Sequence, residues 1–252
     1  MSQRVFVTAG ASGIGREIVR AFAATGARLA VCDIDVPALS ALKAELPGIA
    51  TFVCDIGRRA DVERAVPAAV DALDGLDVLV NNAGIGGPTS PVEQFPPEDW
   101  DRVMQVNLTG TFDVTRLAIP HLKRSPAASI VIMSSAAGRY GYPNRSAYSA
   151  SKWALVGFAK TLAIELGEFG IRANAILPGA VDGERLRRVY AGRAAISGQG
   201  LETVLAAAMA GQSLKRFVDP RDVARLAVFL ASDAGKSISG QTLNIDNDIQ
   251  KA

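Results

Sequence analysis

Short runs rich in aliphatic and β-branched residues recur along this chain, and a segment of helical character separates each from the next. The strand candidates are Arg4–Thr8, Arg28–Asp33, Ala50–Cys54, Val78–Asn81, Ser129–Ser134, Arg172–Leu177 and Thr242–Ile245. Between them lie amphipathic or alanine-rich stretches such as Gly15–Ala24, Pro37–Leu46, Ala60–Leu73 and Ser151–Leu166. Strands that are apolar on both sides need cover on both faces and a partner for every backbone group. Strand–helix alternation meets both needs with a parallel sheet between two helix layers. The right-handed crossover rule favours a doubly wound, Rossmann-type arrangement, which binds ligands outside the carboxyl ends of its strands. A chain of 252 residues, 49% of them hydrophobic, is long enough to bury the core of one such domain. No linker, repeat or low-complexity block interrupts it, so residues 1–252 read as a single α/β domain.

Composition narrows the function. A formal net charge of +2 gives no case for a nucleic-acid or membrane partner. No apolar run reaches the roughly 18 residues of a membrane-crossing helix. The first strand begins almost at once, which leaves no room for a signal peptide. Cys32 and Cys54 both end apolar runs and read as buried reduced thiols. With a lone histidine, His121, they offer no plausible metal site. The expected compartment is the cytoplasm.

Thr8-Ala9-Gly10-Ala11-Ser12-Gly13-Ile14-Gly15 leads from the first strand directly into a helix. Glycines let a backbone approach a pyrophosphate, and a helix N-terminus offers free N–H groups and a favourable dipole. Asp33 ends the next strand, where a carboxylate accepts from adenosine ribose hydroxyls and repels a 2′-phosphate. Together they predict a dinucleotide cofactor, NAD rather than NADP. Arg16 argues the other way, reading either as a phosphate ligand or as a solvent-facing side chain. Asp55 reads as an acceptor for the adenine amino group or as a helix cap. Asn81-Asn82-Ala83-Gly84 reads as a lining for adenine and ribose or as a plain turn.

Tyr148 and Lys152 lie one helical turn apart, on one face. Ser135 follows the apolar run Ile130-Val131-Ile132-Met133, so a strand end holds its hydroxyl near that helix start. A tyrosine works as an acid or base only if its pKa falls from roughly 10 towards working pH. A nearby ammonium favours the phenolate and moves it that way. The three groups form a candidate proton-transfer device.

These residues resemble the short-chain dehydrogenases/reductases over nearly the whole chain. The likeness rests on the Thr8–Gly15 turn, Asn81-Asn82-Ala83-Gly84, Asn107, Ser135, Tyr148 with Lys152, and Pro178-Gly179. It implies a seven-stranded Rossmann fold and hydride transfer between a nicotinamide cofactor and a hydroxyl or carbonyl substrate. Tyr148 would then be the acid/base, and Ser135 would position and polarise the substrate oxygen. Lys152 would bind the nicotinamide ribose and depress the tyrosine pKa, and Asn107 would hold a water that links Lys152 to a proton relay. The cofactor would be held by Gly10, Ser12, Gly13, Ile14, Gly15, Asp33, Asp55, Ile56, Asn82, Ala83, Gly84, Tyr148, Lys152, Pro178, Gly179 and Val181. Three departures stand out. Ala9 occupies a position where the family has glycine, Asp182-Gly183 replace a threonine that touches the carboxamide, and Asn247-Asp248 replace a paired-glycine ending.

Substrate contacts are expected from Ser135, Arg139, Tyr142 and Tyr148, with Gly86, Tyr140 and Arg145 nearby. The Arg-rich segment 182–214 follows a strand at the ligand edge and reads as a substrate lid or as a surface helix–loop–helix. The site surroundings favour a small polar hydroxy compound, such as a sugar, polyol or hydroxy acid. An arginine there could also hold a carboxylate, sulfonate or phosphate. Helices at about Asp99–Leu122 and Ser149–Leu166 carry surplus apolar positions, notably Trp153, Phe158 and Leu162, and the resemblance implies a homodimer or homotetramer. The alternatives are a 3-oxoacyl-thioester reductase and a non-catalytic dinucleotide-sensing protein.

Overall fold

The computed structural model describes residues 2–250. Its sheet comprises β1 (Arg4–Thr8), β2 (Arg28–Asp33), β3 (Ala50–Val53), β4 (Val78–Asn81), β5 (Ser129–Met133), β6 (Arg172–Pro178) and β7 (Thr242–Ile245). The seven strands are parallel in the order β3-β2-β1-β4-β5-β6-β7. The order reverses direction between β1 and β4, which opens a crevice beyond their carboxyl ends. Three strand ends differ from the expected ones by one residue. β3 stops at Val53 and β5 at Met133, while β6 runs on to Pro178.

Side chains alternate cleanly across the sheet, as the twofold period of a strand requires. Phe6, Ala30, Leu79, Ile130 and Ile132 face one layer, formed by α3 (Arg59–Leu73), α4 (Pro97–Met104), α5 (Thr111–Leu122) and α6 (Ser146–Leu166). Val5, Val7, Val31, Val80 and Val131 face the other, formed by α1 (Gly13–Ala24), α2 (Val36–Glu45) and α9 (Pro220–Ala231). A helical pair, α7 (Glu184–Ser197) and α8 (Leu201–Ala210), lies between β6 and α9 in the chain. Among the described residues no helix is long and apolar enough to cross a membrane.

The single helix expected from Asp99 to Leu122 is interrupted. Gln105–Gly110 form a π-helical turn between α4 and α5, so the ladder widens at Asn107. Such turns concentrate at functional sites because they redirect one backbone segment without ending the helix. α6 begins earlier than expected, at Ser146, which puts Tyr148 in its first turn.

Candidate active site

Ser135 leaves β5 in an extended conformation, and its Oγ accepts from Ala137 N at 3.1 Å. Two carbonyls bring β5 and α6 together. Ser134 Oγ donates to Lys152 O at 2.7 Å, and Lys152 Nζ donates to Met133 O at 2.7 Å. Gly138 makes the approach possible, since a Cβ there would stand 2.7 Å from Lys152 O. The Ser135 hydroxyl thus stands near the Tyr148 phenol, and Lys152 Nζ lies 5.7 Å from the Tyr148 ring centre. The structure brings together the three groups read from the sequence.

Burial is the largest single influence on both proton affinities, but it decides only that of Lys152. It lowers Lys152 to about 8, against the opposing pull of Tyr148. Burial alone would raise Tyr148, but Arg185 and Lys152, then the Ser135 hydroxyl and Arg145, together hold the phenol below its ordinary value. The sequence argument named only Lys152 for this effect.

Asn107 is fully buried and ties three elements together. Its Oδ1 accepts from Ile85 N at 2.8 Å, while Nδ2 donates to Ile85 O and to Ser151 Oγ, both at 3.0 Å. A Cβ on Gly84 would lie 3.2 Å from Asn107 Oδ1 and 3.3 Å from Lys152 Nζ, so these two groups share one wall of the site.

The glycine turn fits a pyrophosphate. Gly13 has φ +51° with open space beside it, and Ser12 at the start of α1 makes no side-chain cap. The first N–H donors of α1 are therefore left for a ligand, Ile14 and Gly15 among them. Gly10 and Gly15 act by close packing instead. Added Cβ atoms would stand 2.7 Å from Val31 and 2.6 Å from Asn82 Nδ2. Ala9, where the family has glycine, adopts φ +48° all the same.

Asp33 reaches into this turn. Its Oδ2 accepts from Ala11 N at 3.0 Å and Oδ1 from Asp35 N at 3.1 Å, which leaves lone pairs for a ribose. Arg16 pairs with Glu45 of α2, with Nε 3.1 Å from Glu45 Oε2. The amide of Asn82 is a tie: Nδ2 donates to Ala9 O at 2.9 Å and Thr8 O at 3.1 Å, while Thr8 Oγ1 accepts from Asn82 N and Ala83 N at 3.0 Å. Of the two readings of this turn, Asn82 takes the stabilising one.

Two expected cofactor contacts are altered. Asp55 binds Arg102 Nη2 at 2.7 Å and Gly57 N at 2.9 Å, so its carboxylate is largely occupied within the protein. The side chain of Ile56 is buried in the core, leaving its backbone for any ligand. On the nicotinamide side, Gly179 packs against Asp246, where a Cβ would stand 2.7 Å from Asp246 Cα. Val181 pairs in parallel with Val218, and Val218 N donates to Ala180 O while Asp182 N donates to Val218 O. That pattern turns Val181's own N–H and C=O the other way.

The segment 182–214 forms α7 and α8, and α7 lies over the catalytic edge. Arg185 Nη1 donates to Gly84 O at 3.0 Å and its guanidinium stands 5.6 Å from the Tyr148 ring centre. Tyr190 is buried, and Arg193 lies 4.5 Å from the Tyr142 ring and 4.9 Å from that of Tyr190. Arg139 is exposed and stacks over Tyr140 at 5.0 Å. Arg145 is buried, 5.2 Å from the Tyr148 ring centre. Tyr190 was missed because nothing in its helical surroundings distinguishes it from a core aromatic. His121 lies near the end of α5, with Nδ1 2.6 Å from Arg124 Nη2, away from these groups.

A parallel sheet with a phosphate-binding turn at its switch point and a Ser–Tyr–Lys cluster at its carboxyl edge defines a nicotinamide-dependent oxidoreductase. The family model described as enoyl-(acyl carrier protein) reductase matches residues 8–247. The chain is 36% identical to the L-fucose dehydrogenase of Bos taurus, over 91% of this chain and 83% of that protein. It is also 36% identical to the 3-oxoacyl-(acyl-carrier-protein) reductase FabG of Thermotoga maritima, over 96% of both. Among solved structures, NAD+-bound xylitol dehydrogenase superposes with a TM-score of 0.92 at 28% identity, covering 96% of this chain and 97% of that one. The chain belongs to the short-chain dehydrogenase/reductase family and is an oxidoreductase acting on CH–OH donors with a nicotinamide dinucleotide.

Proposed function

We propose that the protein transfers hydride between a small polar secondary alcohol or its ketone and NAD, with Tyr148 as general acid/base. The observation that carries this reading is the convergence of Ser135, Tyr148 and a buried Lys152 where β5 meets α6, with Lys152 Nζ 5.7 Å from the Tyr148 ring centre. The nicotinamide, when bound, supplies or accepts the hydride. Ser135 donates to the substrate oxygen and holds it at Tyr148. Negative charge grows on that oxygen as the carbinol is oxidised, and hydroxyl donors stabilise it. Tyr148, as phenolate, takes the carbinol proton, and in reduction returns it. Lys152 faces the ribose side and stabilises the phenolate, while Asn107 fixes the wall behind it and orders the water that carries the proton outward.

The cofactor is NAD in this reading; the carboxylate of Asp33 at the end of β2, beside the glycine turn, and the pairing of Arg16 with Glu45 support it. The residues that would hold it are Gly10, Ser12, Gly13, Ile14, Gly15, Asp33, Gly84, Lys152, Pro178, Gly179 and the Val181 backbone. α7 and α8 act as the substrate lid of a single domain. The exposed aromatics on α5 and α6 support assembly into dimers or tetramers, and the buried free thiols Cys32 and Cys54 suit a reducing cytoplasm. Relatedness to the Thermotoga protein favours a second reading, 3-oxoacyl-thioester reduction, which would use the same catalytic groups.

The deciding experiment is NAD-linked absorbance across sugars, polyols and hydroxy acids, repeated with Tyr148→Phe. Turnover that the variant loses by about a hundredfold or more supports the assignment. Turnover that survives the change removes Tyr148 from the mechanism, and NADPH-driven reduction of acyl thioesters alone favours the second reading.

A further inference from the structure

The arginine at the start of α6 has no evident duty within the chain. Arg145 is 3% exposed, and its Nε has no hydrogen-bond partner. The ionisable groups that act on it most are Tyr148, Tyr142, Arg185 and Arg193, none of them a carboxylate. Burying an unpaired guanidinium is costly, and two further guanidiniums nearby add repulsion. Arg185 and Arg193 meet neutral partners, the Gly84 carbonyl and the Tyr142 and Tyr190 rings. The space for Arg145 is built in, since a Cβ on Gly86 would overlap its Nη2. Two guanidiniums, Arg145 and Arg185, thus stand beside the Tyr148 ring, with Arg193 against the neighbouring Tyr142.

We propose that Arg145, with Arg185 closing from α7, binds the carboxylate of a short-chain hydroxy acid whose carbinol is presented to Ser135 and Tyr148. This rests on the dehydrogenase reading and adds the substrate's charge to it. A guanidinium offers a planar fork that matches a carboxylate in two parallel hydrogen bonds. Arg145 lies 5.2 Å from the Tyr148 ring centre, so only a short chain separates the carboxylate from the reacting carbon. Arg185 lies 5.6 Å from the same ring centre and is carried by α7. A rival role, in which the arginines serve only to favour the Tyr148 phenolate, makes a different prediction: acidic and neutral substrates would suffer equally from their loss.

The test uses the full chain with NAD and both enantiomers of lactate and 3-hydroxybutanoate, beside their methyl esters, butan-2-ol, xylitol and glycerol 3-phosphate. The acids are expected to exceed their esters in kcat/KM by at least about 30-fold, the loss that follows when a buried charge pair lacks one partner. Arg145→Met should erase that preference through KM, and Arg145→Lys should fall between. NADH affinity and melting temperature, measured alongside, separate a changed pocket from an unfolded chain. In parallel, calorimetry follows binding of each acid and ester to the protein–NADH complex.

Tyr148-dependent turnover of neutral compounds with no preference for acids overturns the carboxylate pocket and leaves the dehydrogenase standing. A preference for glycerol 3-phosphate overturns the carboxylate as the anion. Acids that bind in an Arg145-dependent way without turnover of any compound support the pocket and remove the dehydrogenase reading. If no acid binds and none is turned over, the proposal is overturned.

Discussion

The ammonium of Lys152 lies 5.7 Å from the centre of the Tyr148 ring, and each group changes the proton affinity of the other. Oxidation needs the phenolate, so kcat/KM for an alcohol should rise with pH through the Tyr148 pKa, which lies below its ordinary value. Reduction needs the phenol and should fall through the same point. Lys152→Met removes a cation that favours the phenolate, so the oxidation limb should move to higher pH. A pH–rate profile of the two proteins reads this directly; an unmoved limb would show that Lys152 does not tune Tyr148.

The same lysine destabilises the resting fold. Burial brings its pKa from 10.5 to about 8. Between those values the unfolded chain binds more protons than the folded one, so this contribution to stability rises with pH across the window. Below about 8 the folded protein carries the full cost of a buried ammonium. At pH 7, Lys152→Met should therefore stabilise the protein, by at most about 3 kcal/mol, less about 1 kcal/mol for the Met133 carbonyl left without its donor. Denaturant unfolding at pH 7 and pH 10 checks the sign, because the gap should shrink at the higher pH. A variant less stable than the parent at pH 7 contradicts the argument.

The sheet was legible because its five inner strands are buried on both faces and helices lie in the crossovers between strands. An aliphatic run such as Ile130-Val131-Ile132-Met133 has few other uses. The Tyr148–Lys152 pairing was legible for a similar reason, since helical periodicity alone puts them on one face. Contacts between distant segments were not. That Arg16 would meet Glu45, or that Arg145 and not Arg139 would face Tyr148, depends on how α2 and the loop before α6 settle. The π turn at Asn107 escaped for another reason, because no residue preference marks it in Gln105–Gly110. Of the apolar positions expected to meet a partner subunit, Leu162 is buried within the chain's own core, whereas Trp153 remains 50% exposed.

That exposure carries a prediction about assembly. Trp153 stands on α6, with Ile164 on the same helix and Phe112 on α5 also exposed. Exposed aromatics on adjoining helices suit a self-complementary interface about a twofold axis. Trp153→Glu should put a charge into such an interface and shift the protein towards monomer. Light scattering coupled to size-exclusion chromatography measures the mass of both. Equal masses for variant and parent would place the interface elsewhere.

Ala9 holds φ +48°, a left-handed conformation that glycine adopts freely and alanine does not. The strain is about 1–2 kcal/mol, while glycine would return about 0.4–1 kcal/mol of freedom to the unfolded chain. Ala9→Gly should thus stabilise by up to about 1 kcal/mol, a rise of roughly 2–4 °C in melting temperature for a chain of this size. Asn247 and Asp248 share the condition, at φ +56° each, where the family has paired glycines. Those two side chains tolerate it better, because short polar groups hydrogen-bond locally. Asn247 Nδ2 in addition donates to Arg216 O at 2.6 Å, a long-range bond that glycine would lose, so Asn247→Gly should gain nothing. Thermal unfolding of the two variants distinguishes the sites, and a lower melting temperature for Ala9→Gly would refute the strain.

Asp33 is asked to do two things, and they separate by measurement. Its carboxylate accepts from Ala11 N and Asp35 N, holding the glycine turn, and in the proposed reading also accepts from the ribose. NADH should bind at least about tenfold more tightly than NADPH, a difference of about 1.4 kcal/mol. Asp33→Ala removes both the ribose acceptor and the charge that repels a 2′-phosphate, so the gap should narrow while the turn loosens and both affinities fall. Asp33→Asn keeps one oxygen, for Ala11 N, and loses the charge and the acceptor for Asp35 N, so it should narrow the gap with less harm to stability than alanine. Fluorescence titration of both cofactors against the three proteins decides between the roles. Equal affinities in the unmodified protein would remove the NAD assignment. An unchanged ratio in Asp33→Asn, with lower stability in Asp33→Ala, would leave Asp33 a purely structural tie for the turn.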